Sequence, residues 1–246
     1  DEYHKTIYGE MDLMREAGYV VAETIRELRR TIEPGMKTKD LDAIASRHIA
    51  NMGAKPSFKG YRGFPATICV SLNEEIVHGI PGDRIIQDGT IVSMDVGAVM
   101  GGFHGDSAVT VAVGAISWEA DRLIEATRLA LEKGIQQAVA GHRVGDISRA
   151  VQEYAEALGY GVVREYVGHG IGRALHEEPS VPNFGEPGKG PSLRPGMVIA
   201  IEPMLNIGGC ETRVLPDDWT VVTADGTFSA HFEHTVAITE AGPEVL

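Results

Sequence analysis

The sequence predicts an α+β fold in which two helix pairs pack on a largely antiparallel sheet, with the whole plan repeated once along the chain. Three observations carry this. The chain matches itself at an offset of 106–107 residues: Asp88-Gly89-Thr90-Ile91-Val92-Ser93-Met94-Asp95 aligns with Pro195-Gly196-Met197-Val198-Ile199-Ala200-Ile201-Glu202. Each segment is a turn glycine, a short apolar run and an acid six residues after the glycine. The register also pairs Gly35 with Gly141, Asp40 with Asp146, Leu41 with Ile147 and Gly53 with Gly159. Apolar residues recur at helical spacing in two widely separated blocks, and short β-rich runs follow each block.

The first helix is marked by Leu13, Ala17, Val21, Thr24, Ile25 and Leu28, and Pro34-Gly35 ends it. Leu41, Ile44, Ala45, His48 and Ile49 mark the second, which Met52-Gly53 closes with a glycine able to take a left-handed cap. Strands are expected at 66–72, 90–96 and 107–113, and Gly101-Gly102 predicts a hairpin turn between two β-rich runs. The plan then repeats. One stripe runs through Leu123, Ala126, Thr127, Ala130, Leu131 and Ile135. Another runs through Ile147, Ala150, Val151, Tyr154, Ala155 and Leu158 and stops at Gly159. Strands are expected at 197–201, 220–223 and 231–239. No linker, low-complexity tract or charge block divides the sequence. The expectation is one catalytic domain over 1–246, with an internal repeat of roughly 10–113 and 118–239.

Composition narrows the function. Apolar residues make up 43% and charged residues 23%, as in ordinary globular proteins. The net charge of −13 argues against a phosphate-binding surface and hence against a nucleic-acid substrate. No apolar run reaches the ~20 residues of a membrane span. The start, Asp1-Glu2-Tyr3-His4-Lys5, lacks the basic and apolar segments of a signal peptide. With only two cysteines, Cys69 and Cys210, a reducing cytoplasm is the expected location.

Candidate ligands cluster at strand ends and glycine-rich bends: His78, Asp95, Asp106, His169 within Gly168-His169-Gly170, His176, Glu202 and Glu233. An acid ending an apolar strand, such as Asp95 or Glu202, is costly to desolvate alone. Several acids in one cleft raise one another's pKa. Two acids brought into register by a repeat can share a pair of divalent cations, which removes that cost. A set of four carboxylates and one histidine suits Mn, Fe(II), Co or Zn rather than a thiol-seeking metal. His176-Glu177 opens like the zinc-protease motif H-E-x-x-H, but position 180 is Ser and Pro179 would interrupt the helix. No G-x-S-x-G elbow or phosphate loop is present. Cys69, within Thr67-Ile68-Cys69-Val70, reads as a small buried strand residue rather than a nucleophile.

The strings Tyr61-Arg62-Gly63-Phe64-Pro65, 73–81, Ser93-Met94-Asp95-Val96-Gly97, 168–172, 176–179, Ile201-Glu202-Pro203-Met204 and Phe232-Glu233-His234-Thr235 together resemble type I methionine aminopeptidase in its short bacterial form. The likeness runs from about Glu10 to the C-terminus. It implies the pita-bread fold, a pseudo-twofold repeat of helix pairs on a curved antiparallel sheet. It also implies two divalent metal ions, with Asp95 on one, His169 and Glu202 on the other, and Asp106 and Glu233 bridging. The implied reaction is removal of the initiator methionine of nascent polypeptides when the second residue is small, by a metal-bridging hydroxide. The substrate amine would bind uncharged at the Asp95 side. His176 would stabilise the oxyanion, His78 would contact the scissile amide nitrogen, and Glu202 would shuttle the proton. The methionine pocket would comprise Tyr61, Phe64, Cys69, Leu175 and Trp219, with His78 and His176 at its reactive end.

The sequence departs from the family pattern at Leu175, where a phenylalanine is expected, at Arg62, which replaces a histidine, and at Gly97, which replaces a hydroxyl residue. These fall on the pocket, its rim and the neighbourhood of the first ligand. Proline-specific relatives carry a further histidine four residues before the one matching His169; here that position is Glu165. A type II enzyme would carry a helical insertion in the second half, which is absent. Enzymes of this kind act on chains leaving the ribosome, but 205–226 holds Arg213 as its single positive charge, so strong docking through that stretch is not expected. No sustained heptad or unexplained apolar stripe signals an oligomer, and a monomer is expected.

Overall fold

A computed structural model describes residues 2–246. The first half runs α1 (Glu2–Thr31), α2 (Thr38–Asn51), β1 (Lys55–Pro56), β2 (Ile68–Leu72), β3 (Glu75–Val77), β4 (Thr90–Met100) and β5 (Phe103–Val113). In the second half α3 (Trp118–Gln136) and α4 (Val144–Ala157) precede β6 (Gly161–Val162), β7 (Gly168–Gly170), β8 (Glu177–Val181), β9 (Val198–Ile201) and β10 (Met204–Asn206). The chain ends with β11 (Thr212–Val214), β12 (Val221–Thr223), β13 (Ser229–His231), β14 (His234–Thr239) and β15 (Gly242–Val245). All paired strands are antiparallel.

The internal register is visible in backbone conformation. Gly35 and Gly141 have φ of 95° and 90°, Gly53 and Gly159 78° and 86°, Gly89 and Gly196 87° and 92°. All six occupy the left-handed region that glycine enters without Cβ strain. Asp40 accepts a hydrogen bond from the Lys37 backbone N–H at 2.8 Å, and Asp146 accepts one from Arg143 at 2.7 Å. Each acid thus satisfies a donor at the start of its helix, α2 or α4. Leu41 and Ile147, one residue on, are both fully buried.

The helical stripes pack as their spacing requires. Leu28, Leu41 and Ile49 from the first pair and Leu131 and Ile147 from the second share one apolar cluster with Met94, Ile199 and Ile201 of the strands between them. Each such side chain contributes about 1.5–3 kcal/mol by leaving water. Leu158 is the exception: it lies past the end of α4 at the helix C-cap and is exposed, because Gly159 turns the chain away before the stripe completes. The hairpin at Gly101-Gly102 joins β4 to β5, which pair along their full lengths from Thr90–Val113 to Met100–Phe103.

The two halves meet strand to strand. β14 belongs to the sheet ordered β15-β14-β9-β7-β8, and β5 to the sheet built on β4. Ala108 and Glu233 exchange both backbone hydrogen bonds, at 3.2 and 2.9 Å. Thr235 Oγ1 accepts from the Asp106 N–H at 3.0 Å and donates to the Asp106 carbonyl at 2.7 Å. The expected strand over 231–239 is broken at Phe232-Glu233 into β13 and β14, so β13 pairs with β10 while β14 pairs with β9. This break places Glu233 at the seam.

Candidate metal centre

Five side chains converge on that seam. Asp95 and Asp106 come from β4 and β5, where Gly97 is opposite Asp106 and Asp95 opposite Ala108. His169 lies at the centre of β7, Glu202 immediately follows β9, and Glu233 stands between β13 and β14. His169 Nε2 is 3.4 Å from Glu202 Oε1, 3.6 Å from Asp106 Oδ2 and 3.8 Å from Glu233 Oε1.

The local sequence explains the placement of His169. An added Cβ on Gly168 would lie 2.2 Å from the Ala200 carbonyl oxygen, and one on Gly170 2.2 Å from that of Glu178. The flanking glycines let β7 fit between β8 and β9. The His169 Nδ1–H donates to the Gly170 carbonyl at 2.8 Å, which turns Nε2 toward the three carboxylates. Gly168→Ala is expected to cost about 1–3 kcal/mol by overpacking and to displace His169. Thermal melting together with metal titration checks this; unchanged melting and metal affinity would contradict it.

The electrostatics fit divalent cations. Oδ1 of Asp95, Oδ1 of Asp106 and both carboxylate oxygens of Glu233 are buried without a hydrogen-bond partner. Burial first, then Asp106, pushes the carboxyl groups of Asp95 and Glu233 well above the ordinary range. Burial also raises Asp106, against the opposing hydrogen bond of His169. For His169, burial disfavours the charge, but the carboxylates of Asp106 and Glu202 outweigh it and raise the pKa to about 9. Unpartnered buried carboxylates are costly, and a cation held between them would satisfy the oxygens and take the place of the proton of His169. Donor atoms of Asp106, His169 and Glu233 lie within 4.8 Å of one another, as do those of Glu202, His231 and Glu233.

The centre opens on a cavity of about 310 Å³ lined by Asp95, Asp106, Glu202, His78 and His176 together with Tyr61, Phe64, Cys69, Leu175 and Trp219. All seven expected pocket residues therefore share a cavity with three of the five expected ligands. Phe64 meets Trp219 edge to face at 5.1 Å. Burial pushes the Cys69 thiol up, so it stays protonated and serves as wall. His78 has a φ of 61°, a strained conformation for a residue with a side chain. It is held there because the next residue, Gly79, packs against the Val70 carbonyl, where a Cβ would come within 2.0 Å. Desolvation lowers the pKa of His78 and leaves its ring neutral.

His176 Nδ1 is 2.8 Å from the Tyr61 hydroxyl. Part of its ring is exposed, yet desolvation against the cleft wall and then the neighbouring His169 lower its pKa to about 4. At Gly97, an added Cβ would lie 2.7 Å from the Phe58 ring. The Phe58 ring thus fills the space that a side chain at position 97 would take. Arg62 has a φ of 48° and lies over the Tyr61 ring, 5.3 Å from its centroid. Two buried residues beside Glu202 are not among the candidates of the sequence: Asn183, whose Nδ2 donates to the Glu202 carbonyl at 3.1 Å, and His231. His231 had a signal, since it stands two residues before Glu233 and alternate strand residues share a face.

The family model described as metallopeptidase family M24 matches residues 12–240. The chain belongs to metallopeptidase family M24. Within M24 it is 56% identical to methionine aminopeptidase 1 of Bacillus subtilis (strain 168), over 96% of each chain. It is 52% identical to the methionine aminopeptidase of Clostridium acetobutylicum, over 96% of this chain and 95% of that protein. Among solved M24 structures, the methionine aminopeptidase from Thermotoga maritima superposes with a TM-score of 0.95 at 47% identity, covering 96% of both chains.

Proposed function

We propose that this chain is a metal-dependent aminopeptidase that hydrolyses the peptide bond after an N-terminal methionine when the following residue is small. The observation that carries this reading is the junction of a buried carboxylate–histidine cluster with an apolar cavity of about 310 Å³, about the lower end of the size range of ligand pockets. Asp95, Asp106, His169, Glu202 and Glu233 would hold two divalent ions, of Mn, Fe(II), Co or Zn. Bound there, they would supply Lewis acidity for the scissile carbonyl and make water nucleophilic near neutral pH.

The protein's own groups would do the rest. Tyr61, Phe64, Cys69, Leu175 and Trp219 would exclude water from an unbranched thioether side chain. Glu202 would accept the proton of the attacking water and deliver it to the departing amine. His78, kept neutral by burial, would face the scissile amide nitrogen. If the Tyr61 hydroxyl donates to Nδ1, the neutral His176 must carry its proton on Nε2 and can donate it to the carbonyl oxygen as negative charge develops there. Loss of that one hydrogen bond in Tyr61→Phe is worth about 0.5–1.5 kcal/mol. A three- to tenfold fall in kcat, on that order by the rate–energy relation, with little change in KM is expected from steady-state kinetics; a change in KM alone would assign Tyr61 to the pocket wall only.

No helix among the described residues is long and apolar enough to cross a membrane. A single catalytic unit over the whole chain, monomeric, acting in the cytoplasm on nascent polypeptides and meeting the ribosome transiently, is part of the same proposal. Its test is to strip the protein of metal, restore Mn(II) or Co(II), and assay Met-Ala-Ser, Met-Lys-Ser, Leu-Ala-Ser and Ala-Pro-Ser. Metal-dependent cleavage of Met-Ala-Ser alone supports the reading. Cleavage of Ala-Pro-Ser instead would move the protein to proline-specific chemistry, and silence on all four would leave a binding scaffold.

A further inference from the structure

Glu202 stands between two histidines, and only one of them belongs to the ligand set described above. Its Oε1 faces His169 Nε2 at 3.4 Å, and its Oε2 faces His231 Nε2 at 3.3 Å. His231 is 1% exposed. Its backbone is clamped to the first half of the chain: the His231 N–H donates to Thr110 Oγ1 at 2.8 Å, and Thr110 Oγ1 donates to the His231 carbonyl at 2.9 Å. Thr110 is itself 2.8 Å from Ser93 Oγ. The ring is therefore mounted on rigid strand, yet its Nε2 makes no well-aligned hydrogen bond and is shut off from solvent. A buried ring nitrogen without a partner is costly, and Glu202 Oε2 is the acceptor in front of it.

From this geometry we infer that His231 is a positioning residue for Glu202: its Nε2–H holds Oε2, so that Oε1 is presented to the metal side and the carboxylate keeps one orientation through turnover. The inference rests on the proposed role of Glu202 as ligand and proton carrier. A carboxylate with two tasks must not rotate between them, and its main chain is already fixed by the Asn183 amide at 3.1 Å. His231 does the same for the side chain, as outer-shell donors do for metal-bound carboxylates. The competing reading is that His231 is itself a metal ligand with Glu202 and Glu233, whose donor atoms lie within 4.8 Å of its own. The orientation of Glu202 favours positioning, because its two oxygens are divided between the two histidines rather than turned to one point.

The test compares His231→Leu and His231→Gln in the Co(II)-loaded protein. Leucine removes the donor; glutamine carries an amide N–H to nearly the same place as Nε2. Positioning predicts that His231→Leu loses about 10–100-fold in kcat on Met-Ala-Ser with KM and the amount of bound cobalt kept, and that glutamine restores most of the loss. Lost cobalt in His231→Leu would overturn positioning in favour of ligation. Equal kcat in the leucine variant and the parent would show that His231 does not act on Glu202. Should leucine fail to fold, the glutamine variant decides: a kcat as low as that of Glu202→Gln overturns the inference. If the parent protein cleaves none of the peptides, it is the functional reading that has failed, and the cobalt content still separates ligand from neighbour.

Discussion

Glu202→Gln is expected to lower kcat on Met-Ala-Ser by about 10²–10⁴-fold, the range in which a positioned acid–base group contributes, while KM moves far less. Glutamine keeps the length and planarity of glutamate and one oxygen to face either His169 or His231, but an amide cannot accept and release the proton of the attacking water. The expected split follows from position: Glu202 lies at the end of β9, 3.4 Å from His169, and borders the cavity without forming its apolar wall. Steady-state kinetics with metal analysis on the same sample makes the measurement. A loss confined to KM, or a loss matched by proportionate loss of metal, would refute a proton-carrying role.

The second large effect is on stability. Removing divalent metal by chelation is expected to lower the melting temperature, and the loss should deepen as pH rises from about 5.5 to 8. Asp95, Asp106 and Glu233 have folded-state pKa values raised above the ordinary carboxylate range, first by burial. Without metal, the folded chain therefore holds protons that the unfolded chain has released. Such groups favour the folded state at low pH, and the contribution is lost as pH climbs through their raised values. His169 acts in the same sense: raised to about 9, it contributes stability fully present below its ordinary pKa near ~6.5 and lost as pH rises through about 9. Each pH unit over which one such group stays protonated in the folded state alone contributes about 1.4 kcal/mol.

The lowered carboxylates of Asp146, Asp217 and Asp225 work oppositely, but only as pH falls below the ordinary carboxylate range, outside this window. His78, His104, His176 and His234, lowered first by burial, also work oppositely, and inside the window, as pH falls through the ordinary histidine value. The effect of metal is therefore read as the difference between loaded and metal-free protein at each pH. Metal at a hundredfold its dissociation constant restores about 2.7 kcal/mol. At about 2–4 °C per kcal/mol for a chain of this size, that is a rise of about 5–10 °C, larger at pH 8 than at pH 5.5. Calorimetry at both pH values, with and without Mn(II), decides it. A difference between loaded and metal-free melting that is the same at both pH values would mean that the buried carboxylates find other compensation.

How much of this was legible in the sequence varied with the range of the interaction. Helix spacing was readable from Leu28, Leu41, Leu131 and Ile147 because a helix repeats its own geometry every few residues. The caps at Asp40 and Asp146 and the turn glycines were readable through the internal match, since each is fixed by its neighbours in the chain. β7 was not legible: Gly168-His169-Gly170 has none of the branched residues of a strand, and its glycines are demanded by the backbones of β8 and β9 on either side. The break between β13 and β14 was hidden in what reads as one β-rich run over 231–239 for the same reason, because it is the crossing with β5 that sets it. That Phe58 leaves no room for a side chain at Gly97 was visible only in the packing, and His231 was passed over because its partner, Glu202, comes from a distant part of the chain, just past β9.

The sequence by itself determined the kind of chemistry: which side chains are available as ligands, their order, and the repeat that sets Asp95 against Glu202. These are properties of residue type and local spacing. Only the tertiary structure decided that Asp106, His169, Glu202 and Glu233 meet around one point, that four of the carboxylate oxygens are left buried without partners, and that His231 stands behind Glu202. Ser107 and Glu233 are 126 residues apart in the chain, yet a hydroxyl and a carbonyl hold them together at 2.5 Å. Contacts of that range depend on the packing of both halves at once, and no local pattern encodes them.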